Sequence, residues 1–137
     1  AISLERIAIN IADARIADNA GAQPIDKPVV SGGQPAYFTS LPIKAMLRDL
    51  TDAGLPAEVS QTAGTFVCNH LFYGLMHDLQ RRRALTGVRG GFIHLPDLAT
   101  DDNVALSLRD MQKGLRIAIA SALATAQDVK LGAGTTS

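Results

Sequence analysis

Apolar residues recur along the chain with two different periods, which predicts a mixed α/β fold. Near the start, Ile7, Ile9 and Ile11 alternate with other residues, as in a strand. Helical spacing of apolar residues then appears in three stretches, at 40–53, 67–82 and 102–126. Segments 57–61 and 87–95 lie between them and read as short strands. Strands that alternate with helices are typical of a layered α/β domain.

Each predicted helix has an apolar stripe that we expect to face a core. For the first helix, Ser40 is the expected N-cap and Pro42 lies in the first turn. Its stripe is Ile43, Met46, Leu47 and Leu50. The stripe of the second helix is Leu71, Phe72, Leu75 and Leu79. The stripe of the last helix is Val104, Leu108, Met111, Leu115 and Ile119.

The segment 12–37 has the composition of a long loop, with many Gly, Pro, Asp and Asn residues. A loop of this length inside a compact domain is usually functional or holds subunits together. Because it is also apolar and rich in proline, we expect it to be ordered by packing on the body of the protein or on another subunit. A loop with no burial of Ile25, Val29 or Tyr37 would count against this expectation.

Charge and cysteine content exclude several classes of protein. Thirteen basic and thirteen acidic side chains cancel, so no broad basic face is available for nucleic acid. The single cysteine excludes an internal disulfide and a Cys-based zinc cluster, and suits a reducing compartment. We see no signal peptide, and the longest apolar uncharged stretch, 117–127, is shorter than the ~18 residues of a membrane span. We therefore expect a cytoplasmic protein that does not bind membranes.

Cys68 lies where a strand runs through a Gly-containing turn into a helix. At a helix start, unpaired backbone N–H groups and the helix dipole stabilise a thiolate. The same N–H groups can face an oxyanion that develops on a substrate. A cysteine on an apolar helix can also be a small buried hydrophobic residue, and the sequence leaves both readings open.

A thiolate nucleophile needs a base, and the base needs a group that holds it. His70 and His77 lie on the Cys68 helix and read as surface or boundary residues. His94 instead ends an apolar strand, where α/β enzymes often place catalytic side chains. Glu5 lies in a strand beside isoleucines, where an unpaired carboxylate would cost stability, so we expect His94 to be its partner.

Three segments resemble parts of the pyroglutamyl peptidase I family, also called pyrrolidone carboxyl peptidases, and two of them match its signatures. Residues 55–69, LPAEVSQTAGTFVCN, resemble the cysteine signature of that family. Residues 2–10, ISLERIAIN, resemble the second half of its glutamate signature, and residues 91–96, GFIHLP, the segment around its histidine. Segment 13–26 is also similar to the family, although Ala17 stands where we would expect proline. Two separate signatures in the right order make the resemblance specific.

The resemblance implies a Cys–His–Glu triad formed by Cys68, His94 and Glu5 in a cysteine peptidase. It implies that this enzyme removes N-terminal pyroglutamyl residues from peptides without a metal or cofactor. It also implies that Arg15 lies near the oxyanion and that three residues line the pyroglutamyl pocket: Ile16, Phe66 and Val67. The implied fold is a three-layer α/β/α sandwich, with residues 1–137 as a single catalytic domain in a homotetramer or homodimer.

The resemblance also implies that family members carry about a third more chain upstream of Ala1. Two other readings of the sequence are therefore open. The chain could be an inactive fragment that serves as an oligomerisation or interaction module. It could also be a different cysteine hydrolase, such as an amidase, with the same strand–turn–helix arrangement.

Overall fold

A computed structural model describes residues 1–97 and 106–134 of the chain. The strands in this part are β1 (Ile2–Glu5), β2 (Ile7–Ile9), β3 (Ala36–Phe38), β4 (Ala57–Ser60) and β5 (Phe92–His94). The α-helices are α1 (Ile43–Asp52), α2 (Val67–Arg81) and α3 (Leu108–Ala124), and a short 3-10 helix covers Arg83–Leu85. The predicted α/β class is confirmed. The chain forms two compact units, so the single domain that we expect stays a prediction.

The first unit contains residues 1–5, 41–61 and the described residues from 92 onward. Its sheet has the order β4-β1-β5, with β1 parallel to β4 and antiparallel to β5. One face of the sheet carries Ile2, Leu4 and Val59, which pack against α1 and α3. The stripe predicted for α1 is confirmed, because all four of its members are buried in this core.

The start of α1 is fixed by a residue far along the chain. Ser40 is not its N-cap, because α1 begins at Ile43 and the Ser40 hydroxyl accepts a hydrogen bond from Gly90 N–H at 2.8 Å. Instead, the Asp128 carboxylate accepts from the backbone N–H groups of Lys44 and Ala45, at 3.1 and 2.9 Å. This remote carboxylate satisfies donors that have no partner within the helix.

The stripe predicted for α3 is wrong in most positions. Met111 is buried, but Leu108 and Ile119 are more than half exposed, and Leu115 is only half-buried. The buried face consists of Met111, Gly114, Ala118 and Ser121. Small residues let the helix approach β1 so closely that a Cβ on Gly114 would collide with Ile2. Val104 and the predicted start of this helix lie outside the described residues.

The second unit contains residues 6–40 and 62–91. In it, β2 pairs antiparallel with β3, and α2 packs against both strands. The run that begins with Leu4 and continues through the isoleucines is therefore divided between two sheets. In residues 7–14, which include β2, the buried side chains are Ala8, Ala12 and Ala14, whereas Ile11 is exposed.

The predicted bounds of α2 are confirmed to within one residue, but its predicted stripe is wrong. Leu71 and Leu75 are exposed, at 62% and 40%, and Leu79 is half-buried, so only Phe72 of the stripe is buried. The other residues that α2 buries are Asn69, Tyr73 and Met76. Polar atoms on this face have hydrogen-bond partners: the Tyr73 hydroxyl donates to the Gln34 carbonyl at 2.6 Å. Polar side chains with hydrogen-bond partners can therefore occupy the buried face of a helix in place of leucines.

The long loop is only partly packed. Tyr37, at the centre of β3, is buried and Val29 is half-buried, which agrees with the expected packing, whereas Ile25 is 63% exposed. The start of the loop also pairs with its middle through an isolated antiparallel β-bridge between Ala12 and Lys27. Within residues 1–97 and 106–134, no helix is long and apolar enough to cross a bilayer.

Candidate active site

Glu5 and His94 lie on the same face of the first sheet. Ser3 is opposite His94 and Glu5 is opposite Phe92 in the antiparallel pairing of β1 with β5. Because side chains alternate along a strand, this face is the reverse of the one that packs Leu4 and Ile93 into the core. Glu5 and His94 are thus diagonal neighbours, which long side chains can bridge.

The two side chains form a short hydrogen bond. The distance from His94 Nδ1 to Glu5 Oε1 is 2.6 Å. Glu5 is only 2% exposed, whereas the His94 side chain is 37% exposed. A carboxylate can only accept, so Nδ1 carries the proton and Nε2 of a neutral ring is left as an acceptor. The Phe92 ring contacts the imidazole edge-on, with centroids 5.0 Å apart, and helps to hold its plane. The predicted pairing of Glu5 with His94 is therefore observed.

Cys68 is the second residue of α2, in the second unit. Phe66 is the N-cap and provides no side-chain cap, and the first turn has no acidic residue. The first hydrogen bond of the helix joins His70 N–H to the Phe66 carbonyl at 2.9 Å. The backbone N–H groups of Val67 and Cys68 thus have no acceptor within the helix. The predicted helix start is observed, and the half-buried Cys68 is a free thiol.

Of the four residues that the resemblance assigns to the substrate pocket or the oxyanion, two line one cavity and two do not. Phe66 and Val67 line a cavity of about 730 Å³ in the second unit. Its other lining residues are Ala12, Asp18, Ala22, Gln23, Pro24, Lys27, His70 and Leu71. Arg15 and Ile16 are exposed on the neighbouring loop and do not line this cavity.

The other two histidines occupy the positions expected of surface or boundary residues. His70 is exposed, and His77 is half-buried with its Nδ1 2.8 Å from the Tyr37 hydroxyl. His77 also stacks on Tyr73, at 6.0 Å between ring centroids. Among the described residues, no three His, Cys, Asp or Glu side chains are grouped as a metal site would require.

Asn69 was not predicted as a site residue, although it directly follows Cys68 and is completely buried. Its amide forms hydrogen bonds with the backbone of Ile9 and Ile11. The one available signal was an asparagine on the buried side of a helix, because such a residue needs specific partners.

The chain belongs to the pyroglutamyl peptidase family, whose model matches residues 1–125. The fold agrees with this membership, since the chain superposes on pyroglutamyl peptidase I from Bacillus amyloliquefaciens with a TM-score of 0.89 and 45% identity. That match covers 96% of this chain and 63% of the other. The pyrrolidone carboxyl peptidase of Thermococcus litoralis matches with a TM-score of 0.84 and 33% identity, over 95% of this chain and 64% of the other.

Curated relatives are still more similar in sequence. The pyrrolidone-carboxylate peptidase of Cupriavidus taiwanensis is 60% identical over 134 residues, which are 94% of this chain and 62% of the relative. That of Erwinia tasmaniensis is 51% identical, over 98% of this chain and 64% of the relative. The chain thus spans a little less than two thirds of the length of these relatives.

Proposed function

We propose that the protein containing this chain is a cysteine exopeptidase that hydrolyses N-terminal pyroglutamyl residues from peptides, with Cys68, His94 and Glu5 as its triad. The observation that carries the proposal is the 2.6 Å hydrogen bond between Glu5 and His94. These residues are 89 positions apart, so no local structure forces them together. The position of Cys68 in the first turn of α2 supports the same assignment from a second element.

In the proposed reaction, His94 Nε2 takes the proton from the Cys68 thiol, and the thiolate attacks the pyroglutamyl carbonyl carbon. The backbone N–H groups at the start of α2 stabilise the oxyanion that forms. His94 then gives its proton to the leaving amine as the C–N bond breaks, which leaves a thioester. Water attacks the thioester with His94 as base, pyroglutamate leaves, and the proton returns to the Cys68 sulfur. Glu5 keeps the imidazole in one orientation and stabilises its charged form.

The proposed substrate has no free α-amine, so its pocket needs apolar walls and no acidic group. We assign Phe66 and Val67 to that pocket because they directly precede Cys68 and are themselves 40% and 61% exposed. We also assign Ile16 to it, and Arg15 to the vicinity of the oxyanion, on family resemblance.

We further propose that the complete protein works in the cytoplasm as a homodimer or homotetramer, with residues 1–137 inside a single catalytic domain. The exposed apolar residues along α3, Leu108, Ile119 and Leu123, are consistent with such an assembly. Light scattering coupled to size-exclusion chromatography would measure the mass in solution, and a monomer would contradict the assembly.

The test of the activity is a fluorogenic assay with pyroglutamyl-aminomethylcoumarin beside the prolyl and glutaminyl analogues. We expect turnover of the pyroglutamyl compound alone, and its loss after treatment with iodoacetamide. Cys68→Ser should abolish turnover with an unchanged urea midpoint, because a hydroxyl is a far poorer nucleophile here. Retention of more than about a tenth of kcat would show that Cys68 is not the nucleophile. Equal turnover of all three compounds would indicate a broader amidase, and no turnover an inactive module.

A further inference from the structure

The segment from Ile9 to Ala14 forms hydrogen bonds on both of its edges in strict alternation. Its even-numbered residues bond to the long loop: Asn10 N–H to Pro35, Ala12 to Lys27 in both directions, and Ala14 N–H to Pro24. Its odd-numbered residues bond to the segment that carries Cys68. The segment therefore acts as a strand, with the start of α2 in place of a neighbouring strand on one edge.

Asn69 provides most of the bonds on that edge. Its Oδ1 accepts from Ile9 N–H at 2.9 Å, and its Nδ2 donates to the Ile9 and Ile11 carbonyls at 2.8 and 3.2 Å. The side chain is fully buried, so the removal of its amide would leave these backbone groups unpaired away from water.

Thr65 provides the rest, three residues before Cys68. Its hydroxyl donates to the Asp13 carbonyl at 2.9 Å, and its own carbonyl accepts from Asp13 N–H at 2.8 Å. Three bonds from Asn69 and two from Thr65 thus bracket Cys68 on both sides.

We propose that Asn69 and Thr65 are positioning residues for the reaction, because they fix Cys68 and the helix start against the segment that leads to Arg15 and Ile16. This inference rests on the proposed function. Arg15 comes only two residues after Asp13, so the same bonds set where it lies along the chain relative to the nucleophile. A displacement of about 1 Å in such a placement can lower the rate by roughly 100-fold.

A role confined to stability is the competing explanation, and the chain offers a matched control against it. Asn10 forms the same kind of clamp, with its Oδ1 accepting from Val30 N–H at 2.9 Å and its Nδ2 donating to the carbonyls of Val30 and Gly33 at 2.9 and 3.4 Å. This clamp holds residues 30 and 33 of the long loop, well after Arg15 and Ile16 in the chain, and has no bond to α2. Asn10→Leu and Asn69→Leu therefore remove equivalent bonds, of which only those of Asn69 hold the nucleophile.

The experiment compares both variants of the complete protein by steady-state kinetics and by the alkylation rate of Cys68 with iodoacetamide, followed on its peptide by mass spectrometry. We expect Asn69→Leu to lower kcat by about 10- to 100-fold with a much smaller change in KM, and to change the alkylation rate. Asn10→Leu should lower the urea midpoint similarly but preserve kcat and alkylation. Equal losses of kcat in the two variants, or wild-type kcat in Asn69→Leu, would overturn the proposal.

Thr65 provides a milder test if Asn69→Leu does not fold. Thr65→Val removes the hydroxyl at nearly constant volume and should lower kcat. Thr65→Ser keeps the hydroxyl and should have a kcat close to that of the wild type. If both Thr65 variants keep wild-type kcat, the proposal fails. Alkylation also separates this inference from the proposed function. If the wild-type protein does not turn over the pyroglutamyl compound, the proposed function is contradicted. An alkylation rate that changes in Asn69→Leu and not in Asn10→Leu would still support the role of Asn69 in positioning Cys68.

Discussion

Glu5 is a buried carboxylate with one satisfied oxygen. Its Oε1 is bonded to His94, while Oε2 has no hydrogen-bond partner among the described residues. Burying a carboxylate in this way costs stability, because the charge loses its water and regains only part of the lost interaction. A core that needed only packing would favour an apolar residue at this position in β1. The role proposed for Glu5 explains the buried charge, because the charge stabilises the protonated form of His94.

We expect Glu5→Gln to lower kcat by roughly 100-fold with little change in KM. The amide oxygen can still accept from His94 Nδ1, but it cannot stabilise an imidazolium. Glu58→Gln is the matched control, because Glu58 lies in β4 of the same sheet and accepts a hydrogen bond from the Ser3 hydroxyl at 2.7 Å. Steady-state kinetics on both variants checks this; equal kcat for Glu5→Gln and wild type would remove Glu5 from the triad.

Among the elements, α1 shows how residues after α3 stabilise the start of a helix more than eighty positions earlier in the chain. Asp128 accepts from the first turn of α1, and the Lys44 ammonium donates to the Ala133 carbonyl. A carboxylate at a helix N-terminus also interacts favourably with the helix dipole. The described residues after α3 are therefore part of the structure of α1.

We expect Asp128→Ala to lower the free energy of unfolding by about 1 kcal/mol, as loss of an N-cap does. Asp52→Ala is the control, because Asp52 is exposed at the other end of α1. There a carboxylate opposes the dipole, so its removal should be neutral or slightly stabilising. Urea unfolding measures both, and losses of the same size would show that the position on the helix is irrelevant.

The middle of α2 offers a stabilising change. Gly74 lies within the helix, and apart from the backbone of its own helix no atom of the described residues lies within 4 Å of the position of a Cβ there. Gly74→Ala should therefore raise the free energy of unfolding by roughly 0.5–1 kcal/mol, because alanine restricts the unfolded chain and favours helix. Gly33→Ala is the contrasting variant, since its Cβ would collide with the Tyr73 hydroxyl, and it should destabilise. Thermal unfolding of both variants checks the opposite signs.

At the scale of the whole molecule, the two units carry titratable groups that limit stability at opposite ends of the pH range. In the first unit, the nearby Ser121 hydroxyl, which forms no regular hydrogen bond with the described residues, and then the ion pair with Arg48 at 2.9 Å lower the pKa of Asp49 below its usual 3.8. In the second, burial and then the neighbouring Tyr37 raise the pKa of Tyr73 above 10.0. Asp49 thus stabilises the fold when ionised, and Tyr73 when protonated.

Stability should consequently fall at both ends. The contribution of Asp49 is present above pH 3.8 and is lost as the pH falls through its lower folded pKa. The contribution of Tyr73 is present below pH 10.0 and is lost as the pH rises through its higher folded pKa. Urea midpoints across the pH range should show a flatter acid arm in Asp49→Asn and a flatter alkaline arm in Tyr73→Phe. Unchanged slopes would exclude these groups as the cause.

The sequence predicted features that depend on neighbouring residues, such as the bounds of α2 and the strand β4. It could not predict features set by distant partners. Ser40 satisfies the local pattern of an N-cap, yet its hydroxyl is bonded to Gly90, and the cap of α1 comes from Asp128. The leucines of α2 satisfy the pattern of a buried stripe, but the hydrogen bonds of Asn69 and Tyr73 determine which face is buried.

The sequence predicted the residues of the candidate site better than it predicted which residues of the helices are buried. Glu5 and His94 are brought together by strand register, which local pattern cannot give. Their pairing was predicted from the cost of an unpaired carboxylate in a strand, and the family resemblance implied the same pair. Asn69 was missed because its partners are backbone groups of Ile9 and Ile11. Backbone partners leave no trace in residue types, so the asparagine itself was the one available signal.

Because the hydrogen bonds of the segment 9–14 alternate between its two edges, the number of residues in the segment determines which backbone groups face each partner. Deletion of one residue there would exchange the two edges, so that the groups facing Asn69 and Thr65 would face the long loop instead. Deletion of two residues would shorten the segment but keep each edge towards its own partner. Natural or engineered changes in the length of this segment should therefore come in pairs of residues, even though much of it lies outside regular secondary structure.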